Sequence, residues 1–359
     1  MKILKRFMFP AYLVITTMLG LLLIEWVALE INKHNGNPAP FLWNDNKSYT
    51  KRHSSDNFSL IDPHLGYARG LSERRVKDFI RKGYEWKDGF AIYKAPKSPY
   101  QRPIILTLGG STTDAVQYGH SWPEELANIL KGKQIAATVI NGGVGGYSTS
   151  QELLKLIRDG VEFSPDIVIS YSGVNDRGTY GKLPHPFVHR YQEELFRGIV
   201  DTRPTFMPNT IVLIDGSTDL IDGGVRGYTL GLATTKFYPE WYIRNITLMK
   251  AVSNVSGAQF FGVLQPNAYV GNFPWSTQFE AKKGKPKEYI SALRSLYQGL
   301  QESPAYMSLV HDFTSIFDDY KDAYIEDGVH TTIAGEVIIA TNIYKLIEPA
   351  VRVRSSDSR

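Results

Sequence analysis

The chain has 359 residues, 43% of them hydrophobic, enough for one large domain with appendages or for two modest domains. Lys plus Arg (40) barely exceed Asp plus Glu (36), and part of the resulting +4 charge sits at the ends, on Lys2, Lys5, Arg6, Arg352, Arg354 and Arg359, so no nucleic-acid footprint is indicated. Cysteine is absent, which excludes disulfides, a thiol nucleophile and Cys-based metal sites.

Lys2, Lys5 and Arg6 precede Phe7–Ile24, an uncharged run of 18 residues that Trp26–Leu29 extend beyond Glu25. At about 1.5 Å per residue this run approaches the roughly 30 Å hydrocarbon core of a bilayer, and basic residues ahead of it favour a cytoplasmic N-terminus. The segment Glu25-Trp26-Val27-Ala28-Leu29-Glu30 offers no convincing cleavage site. The expectation is therefore a cytoplasmic stretch over 1–6, a single-pass signal-anchor helix over 7–31, and a domain on the extracytoplasmic side, in the periplasm or at the cell exterior. A cleaved signal peptide and, after it, a buried globular helix are the alternatives.

Residues 32–100 are polar and punctuated by Pro, Gly and Asn, and they read as a stalk leading into irregular structure. Within them, Asp88-Gly89 between apolar neighbours, from Trp86 to Tyr93, is a hairpin signal. A domain over 101–350 follows, in which short apolar runs alternate with helical spacing, as in an α/β fold with a parallel sheet. Strands are predicted at Ile104–Leu108, Ala137–Asn141, Asp166–Tyr171, Gln259–Leu264 and Ser308–Asp312; helices at Trp122–Leu130, Ser150–Ile157, Tyr289–Leu300 and Thr332–Ile347. Five strands separated by helices suggest a three-layer α/β/α sandwich. Residues 178–255, rich in aromatics, Pro and Gly, read as an insertion with one possible strand at Thr210–Ile214, and 351–359 as a disordered tail.

In a doubly wound sheet, sites form at the carboxyl ends of the strands. The loops after the first three predicted strands are Leu108-Gly109-Gly110-Ser111-Thr112-Thr113-Asp114, Asn141-Gly142-Gly143-Val144-Gly145-Gly146-Tyr147, and Tyr171-Ser172-Gly173-Val174-Asn175-Asp176. A serine after glycines at a strand end presents its hydroxyl at the sheet edge, and needs a base oriented by a third group. Asp327 and His330, three apart ahead of a helix, can fold so that the carboxylate fixes the imidazole tautomer.

These four blocks, in this order, resemble the SGNH family of hydrolases, also called the GDSL family, over about residues 103–350. The resemblance implies a flavodoxin-like sandwich on a mostly five-stranded parallel sheet. It makes Ser111 the nucleophile, His330 its base and Asp327 the orienting acid. It makes Gly146 the oxyanion-hole glycine and Asn175 the amide donor, so that the hole comprises the N–H groups of Ser111 and Gly146 and the Asn175 side chain. The sequence departs from Gly-Asp-Ser-Leu, with Gly110 for the aspartate and Thr112 for the leucine, and resembles instead the Gly-Gly-Ser-Thr variant of anchored or exported members. Tyr147 stands where a smaller polar residue is common, which implies altered access to the pocket.

Taken singly the blocks have plainer readings: Ser111 or Ser148 as helix caps, Asn175-Asp176 as an Asx-turn, His330 as a packing histidine. A P-loop is excluded because no Gly-Lys-Ser/Thr follows Gly146, and an α/β-hydrolase elbow is disfavoured because position 113 is Thr. His185 and His189 are four apart, but no acid lies between them and Pro186 opposes a helix, so no metal is expected. The joint reading is a serine esterase without cofactor, cleaving an O-acyl, in particular O-acetyl, ester on an envelope glycan. The rivals are an O-acetyltransferase using the same residues, a lipase or lysophospholipase, and a non-enzymatic glycan-binding scaffold.

Overall fold

The computed structural model describes residues 2–35, 57–62, 64–71, 73–94, 99–114, 119–177, 239–270, 273–281 and 285–356. The chain divides into two compact units. One holds Met1–Ser54 and Arg190–Ala233, and its described part is helix α1 (Lys2–Asn35), in which Val14–Ile31 is long and apolar enough to cross a membrane. A signal sequence passes the same test of length and composition.

The other unit holds Ser55–His189 and Thr234–Arg359 and is an α/β sandwich. Its strands are β1 (Asn57–Asp62), β2 (Gly66–Leu71), β3 (Tyr84–Lys87), β4 (Phe90–Tyr93), β5 (Ile104–Gly109), β6 (Thr138–Asn141), β7 (Ile167–Ser172), β8 (Gln259–Leu264) and β9 (Val310–Asp312). Its helices are α2 (Glu73–Arg81), α3 (Trp122–Gly132), α4 (Thr149–Arg158), α5 (Pro239–Val255), α6 (Ser276–Ala281), α7 (Lys287–Gln301), α8 (Pro304–Leu309) and α9 (Ile333–Ser356).

The main sheet has the order β3-β4-β6-β5-β7-β8-β9. Strands β6, β5, β7, β8 and β9 run parallel, as the sequence predicts, in the flavodoxin-like 2-1-3-4-5 order. Every residue of β5 and β7 is buried, which is why these strands read as mostly apolar runs: helices cover both faces. Helix α3 packs against α9, and α4 against α5, which also meets α7. The order reverses between β5 and β7, so the loops after β5, β6 and β7 share one edge.

Three expectations are corrected. Residues 32–100 are not a stalk throughout. The β3–β4 hairpin forms at the Asp-Gly signal, with φ of 50° at Asp88 and 80° at Gly89, as a two-residue turn with two left-handed positions requires. Strand β4 then pairs antiparallel with β6, burying Phe90, Ala91, Ile92 and Tyr93 and making the sheet seven-stranded. Nor is the stretch to residue 255 wholly an insertion, because α5 buries Tyr242, Ile246 and Met249 in the main core at helical spacing. The strand suggested at Thr210–Ile214 lies outside the described residues. Finally, α9 continues to Ser356 rather than giving way at 351: Val351 is fully buried and the Arg354 guanidinium donates to the Gly257 carbonyl at 3.0 Å.

Candidate active site

Strand β5 ends at Gly109, and the chain turns at once, with the N–H groups of Thr113 and Asp114 both donating to the Gly110 carbonyl at 3.0 and 3.1 Å. Ser111 rides on this turn, half-buried. The turn is sewn to the loop after β6. The Asn141 amide donates to the Thr113 carbonyl at 2.6 Å while its oxygen accepts from the Gly143 N–H at 2.9 Å, and the Val144 N–H donates to the Gly109 carbonyl at 3.0 Å. Helix α4 begins just beyond Gly146 and Tyr147, because the Gln151 side chain accepts from the N–H (3.1 Å) and hydroxyl (2.6 Å) of Ser148.

The far loop, between β9 and α9, brings in Asp327 and His330. Asp327 Oδ1 accepts from the N–H groups of Val329 (3.0 Å) and His330 (2.9 Å), and its Oδ2 meets His330 Nδ1 at 2.6 Å. Lys285 Nζ also reaches Oδ2, at 3.3 Å. The loop is held from outside by the Tyr269 hydroxyl on the Asp327 carbonyl and the Ala268 N–H on the Gly328 carbonyl, both at 2.8 Å. Burial works to raise the Asp327 carboxyl, but the bond to the His330 ring, that ring's charge and the two backbone N–H donors outweigh it and hold the carboxyl well below the usual carboxylate range. On its other side His330 Nε2 lies 2.7 Å from Ser111 Oγ. With Nδ1–H donated to the carboxylate, Nε2 is the acceptor for the serine proton.

Asn175 sits in a single 3-10 turn, Val174–Arg177, after β7, and its amide donates to the Tyr147 carbonyl at 2.9 Å. That amide also lies against Gly110, where a Cβ would run into Asn175 Nδ2. The glycine standing in place of the signature aspartate thus leaves room that a side chain could take only by displacing the Asn175 amide. Its neighbour Asp176 accepts from the N–H (3.0 Å) and hydroxyl (2.5 Å) of Thr149, and burial, opposed by those bonds, pushes its carboxyl up to about 6. Beneath, Glu152 is fully buried with hydrogen bonds from Ser170 (2.7 Å) and Ser172; burial pushes it up to about 8.

The structure therefore joins Ser111, His330 and Asp327 in one hydrogen-bonded chain, puts the Asn175 amide beside the glycine preceding Ser111, and leaves Gly146 exposed on the adjoining loop in the left-handed region (φ 86°). Tyr147 does not narrow the site: its ring is 1% exposed, packed with Leu65 and Val144. Sequence reasoning missed Tyr67 and Arg69 of β2, whose side chains reach Gly145 and Asp114, and Lys285. The signal available for the first two was the turn-forming Asp62-Pro63 between Leu60-Ile61 and a Tyr-x-Arg alternation. Among the described residues no group of three or more His, Asp or Glu is arranged to hold a metal ion; His185 and His189 lie outside those residues.

Among curated proteins none matches the chain. Solved structures that the chain matches include TesA (14% identity, covering 69% of this chain and 99% of that one, TM-score 0.39). They also include a lipase/acylhydrolase from Enterococcus faecalis (15% identity, 68% and 95%, TM-score 0.40). A third is Axe2, an acetylxylan esterase from Geobacillus stearothermophilus (15% identity, 69% and 95%, TM-score 0.38). The profile of the GDSL-like lipase/acylhydrolase family matches residues 107–337, well over half of the chain. By that match the protein belongs to the GDSL-like lipase/acylhydrolase family.

Proposed function

We propose that the protein is a serine esterase working through an acyl-enzyme. Ser111 Oγ bonds to the ester carbonyl carbon as His330 Nε2 takes its proton, and the carbonyl π electrons move onto oxygen. That oxyanion is held by the N–H groups of Ser111 and Gly146 and by the Asn175 side-chain amide. The C–O bond to the alcohol then breaks, and His330 returns its proton to the departing alkoxide. Water attacks the acyl-Ser111 ester with His330 again as base, releasing the acid. Asp327 keeps the imidazole in the required tautomer and stabilises its charged form. The observation that carries this reading is the single imidazole bridging Asp327 Oδ2 at 2.6 Å and Ser111 Oγ at 2.7 Å.

The proposed substrate is an O-acetyl ester on an envelope or secreted glycan. Its support is the acylhydrolase family together with a helix able to hold the domain at a membrane. The basic Lys2, Lys5 and Arg6 support an N-terminus in the cytoplasm and a catalytic domain outside.

A fluorophosphonate probe is expected to label wild-type protein at Ser111 and not Ser111→Ala; absence of label in the wild type sinks the reading. Acetylated glycan is expected to yield free acetate. Acetyl appearing on an added glycan acceptor instead would make the protein a transferase, and a preference for long-chain nitrophenyl esters would make it a lipase.

A further inference from the structure

The β1–β2 hairpin lies outside the stretch that matches the family, yet its side chains grip the loop after β6. Tyr67 and Arg69 are two apart on β2, so they project from the same face of the strand. The Tyr67 hydroxyl donates to the Gly145 carbonyl. The Arg69 guanidinium pairs with the Asp114 carboxylate, and Oδ2 of that carboxylate accepts the Gly145 N–H at 2.9 Å. Gly145 is thereby held at its carbonyl by one hairpin residue, and at its N–H by an acid that the other hairpin residue anchors.

The carbonyl of residue 145 and the N–H of residue 146 belong to one planar trans peptide and point in opposite directions. A donor fixed on that carbonyl fixes the direction of the Gly146 N–H. It also polarises the peptide, which makes that N–H a better donor. The hydroxyl sits so close over Gly146 that a Cβ there would lie 2.6 Å from it.

The grip is reciprocal and braced. The Tyr147 hydroxyl donates back to the Tyr67 carbonyl, and the two rings meet edge to face with centroids 5.3 Å apart. At the hairpin's turn, both Asp62 oxygens take Arg158 Nη1 of α4 at 2.8 Å, while Oδ1 caps the N–H groups of His64 and Leu65 at 2.9 Å.

We propose that this hairpin is a working part of the oxyanion hole, with Tyr67 and Arg69 as positioning residues that aim the Gly146 N–H at the developing charge. The inference rests on the reading of Ser111, Gly146 and Asn175 under the proposed function. A donor already aimed needs no reorganisation during reaction, so the contribution falls on the transition state.

The test uses the full chain in detergent, p-nitrophenyl acetate as substrate and a methyl trifluoromethyl ketone, which adds to a serine and places an oxyanion in the hole. Tyr67→Phe keeps the ring and its packing on Tyr147 and removes only the hydroxyl. The expected result is a fall in kcat of about tenfold with KM and the thermal midpoint unchanged, and weaker ketone binding by the same factor. Arg69→Met is expected to lose both quantities further, and Arg69→Lys to recover part of them. Wild-type kcat and ketone affinity in Tyr67→Phe would overturn the inference while leaving the esterase reading intact. So would a kcat loss with undiminished ketone binding. A wild-type protein that the fluorophosphonate does not label would overturn both.

Discussion

His330 Nε2 stands 2.7 Å from Ser111 Oγ although 219 residues of chain separate them. The contact exists because β5 is the central strand of the sheet and its carboxyl end faces the loop that enters α9. The Asp327 carboxylate, tied to two backbone N–H groups of its own loop, sets the ring plane, so the geometry at the serine depends on a turn of four residues. Under the proposed function, three groups in one hydrogen-bonded chain are expected to act as a unit.

Removing either reacting member is expected to abolish the unit. Ser111→Ala and His330→Ala should each lower kcat/KM for p-nitrophenyl acetate by about 10³-fold or more, with unchanged urea midpoints, and the double variant should be little worse than either. Additive losses in the double variant would mean that the two do not work together.

Asp327→Ala is expected to be milder, about 10²-fold in kcat, since the imidazole still reaches the serine but loses its fixed tautomer. It should also destabilise the loop. A carboxyl depressed in the folded state binds fewer protons there than in the unfolded chain, so the stability it adds is present above the unfolded value and is lost as pH falls through the folded one. The gap in urea midpoint between wild type and Asp327→Ala should therefore be full at neutral pH and shrink below about pH 4.

The parallel core was legible because its buried strands are mostly apolar and short: Gln259–Leu264 forms β8 with the predicted bounds, and Ile104–Leu108 gains only Gly109. The site's residue types were legible because each loop carries its own local signal, glycines at the turns and an acid three residues from a histidine. What escaped has long-range causes. Asn57–Asp62 and Gly66–Leu71 break their apolar residues with Asn, Ser, Gly and Arg, and they pair only with each other, so the turn at Asp62-Pro63 is a weak local mark of a hairpin and none of its contact with the site. The tie from Tyr67 to Gly145 spans 78 residues and has no periodicity to betray it. Helix α5 has an apolar face at Tyr242, Ile246 and Met249, but the aromatic and Gly-rich run ahead of it masked its start.

Two buried acids predict how stability varies with pH. Glu152 and Glu336 are each pushed up to about 8, chiefly by burial, against hydroxyl donors from Ser172 and Ser170 in one case and from Thr331 in the other. Between the unfolded value of about 4.3 and the folded one, the native protein keeps a proton that the unfolded chain has lost, so stability falls as pH rises across that window. Glutamine mimics the protonated acid. Glu152→Gln should flatten the decline in urea midpoint between about pH 5 and about pH 9, and adding Glu336→Gln should flatten it further. A single variant that leaves the slope untouched would show that Glu152 is ionised in the fold.

Restoring a side chain at the signature position is expected to harm this protein. A Cβ on residue 110 would lie 2.4 Å from Asn175 Nδ2 and 3.1 Å from the Tyr147 carbonyl that this amide bonds. The amide is the mobile partner, so it should yield and leave the hole with one donor misplaced, while the backbone turn survives. Gly110→Ala and Gly110→Asp should then each lower kcat by about 10²–10³-fold, the size of the loss for Asn175→Ala. Because both changes remove the same donor, Gly110→Ala combined with Asn175→Ala should be scarcely worse than Asn175→Ala alone. Fluorophosphonate labelling at Ser111 should persist in all four variants, slowed but present, because Ser111 and His330 are untouched. If Gly110→Asp instead matched the wild type in kcat, Asn175 would have to be making its contribution from a position other than the one it holds against residue 110.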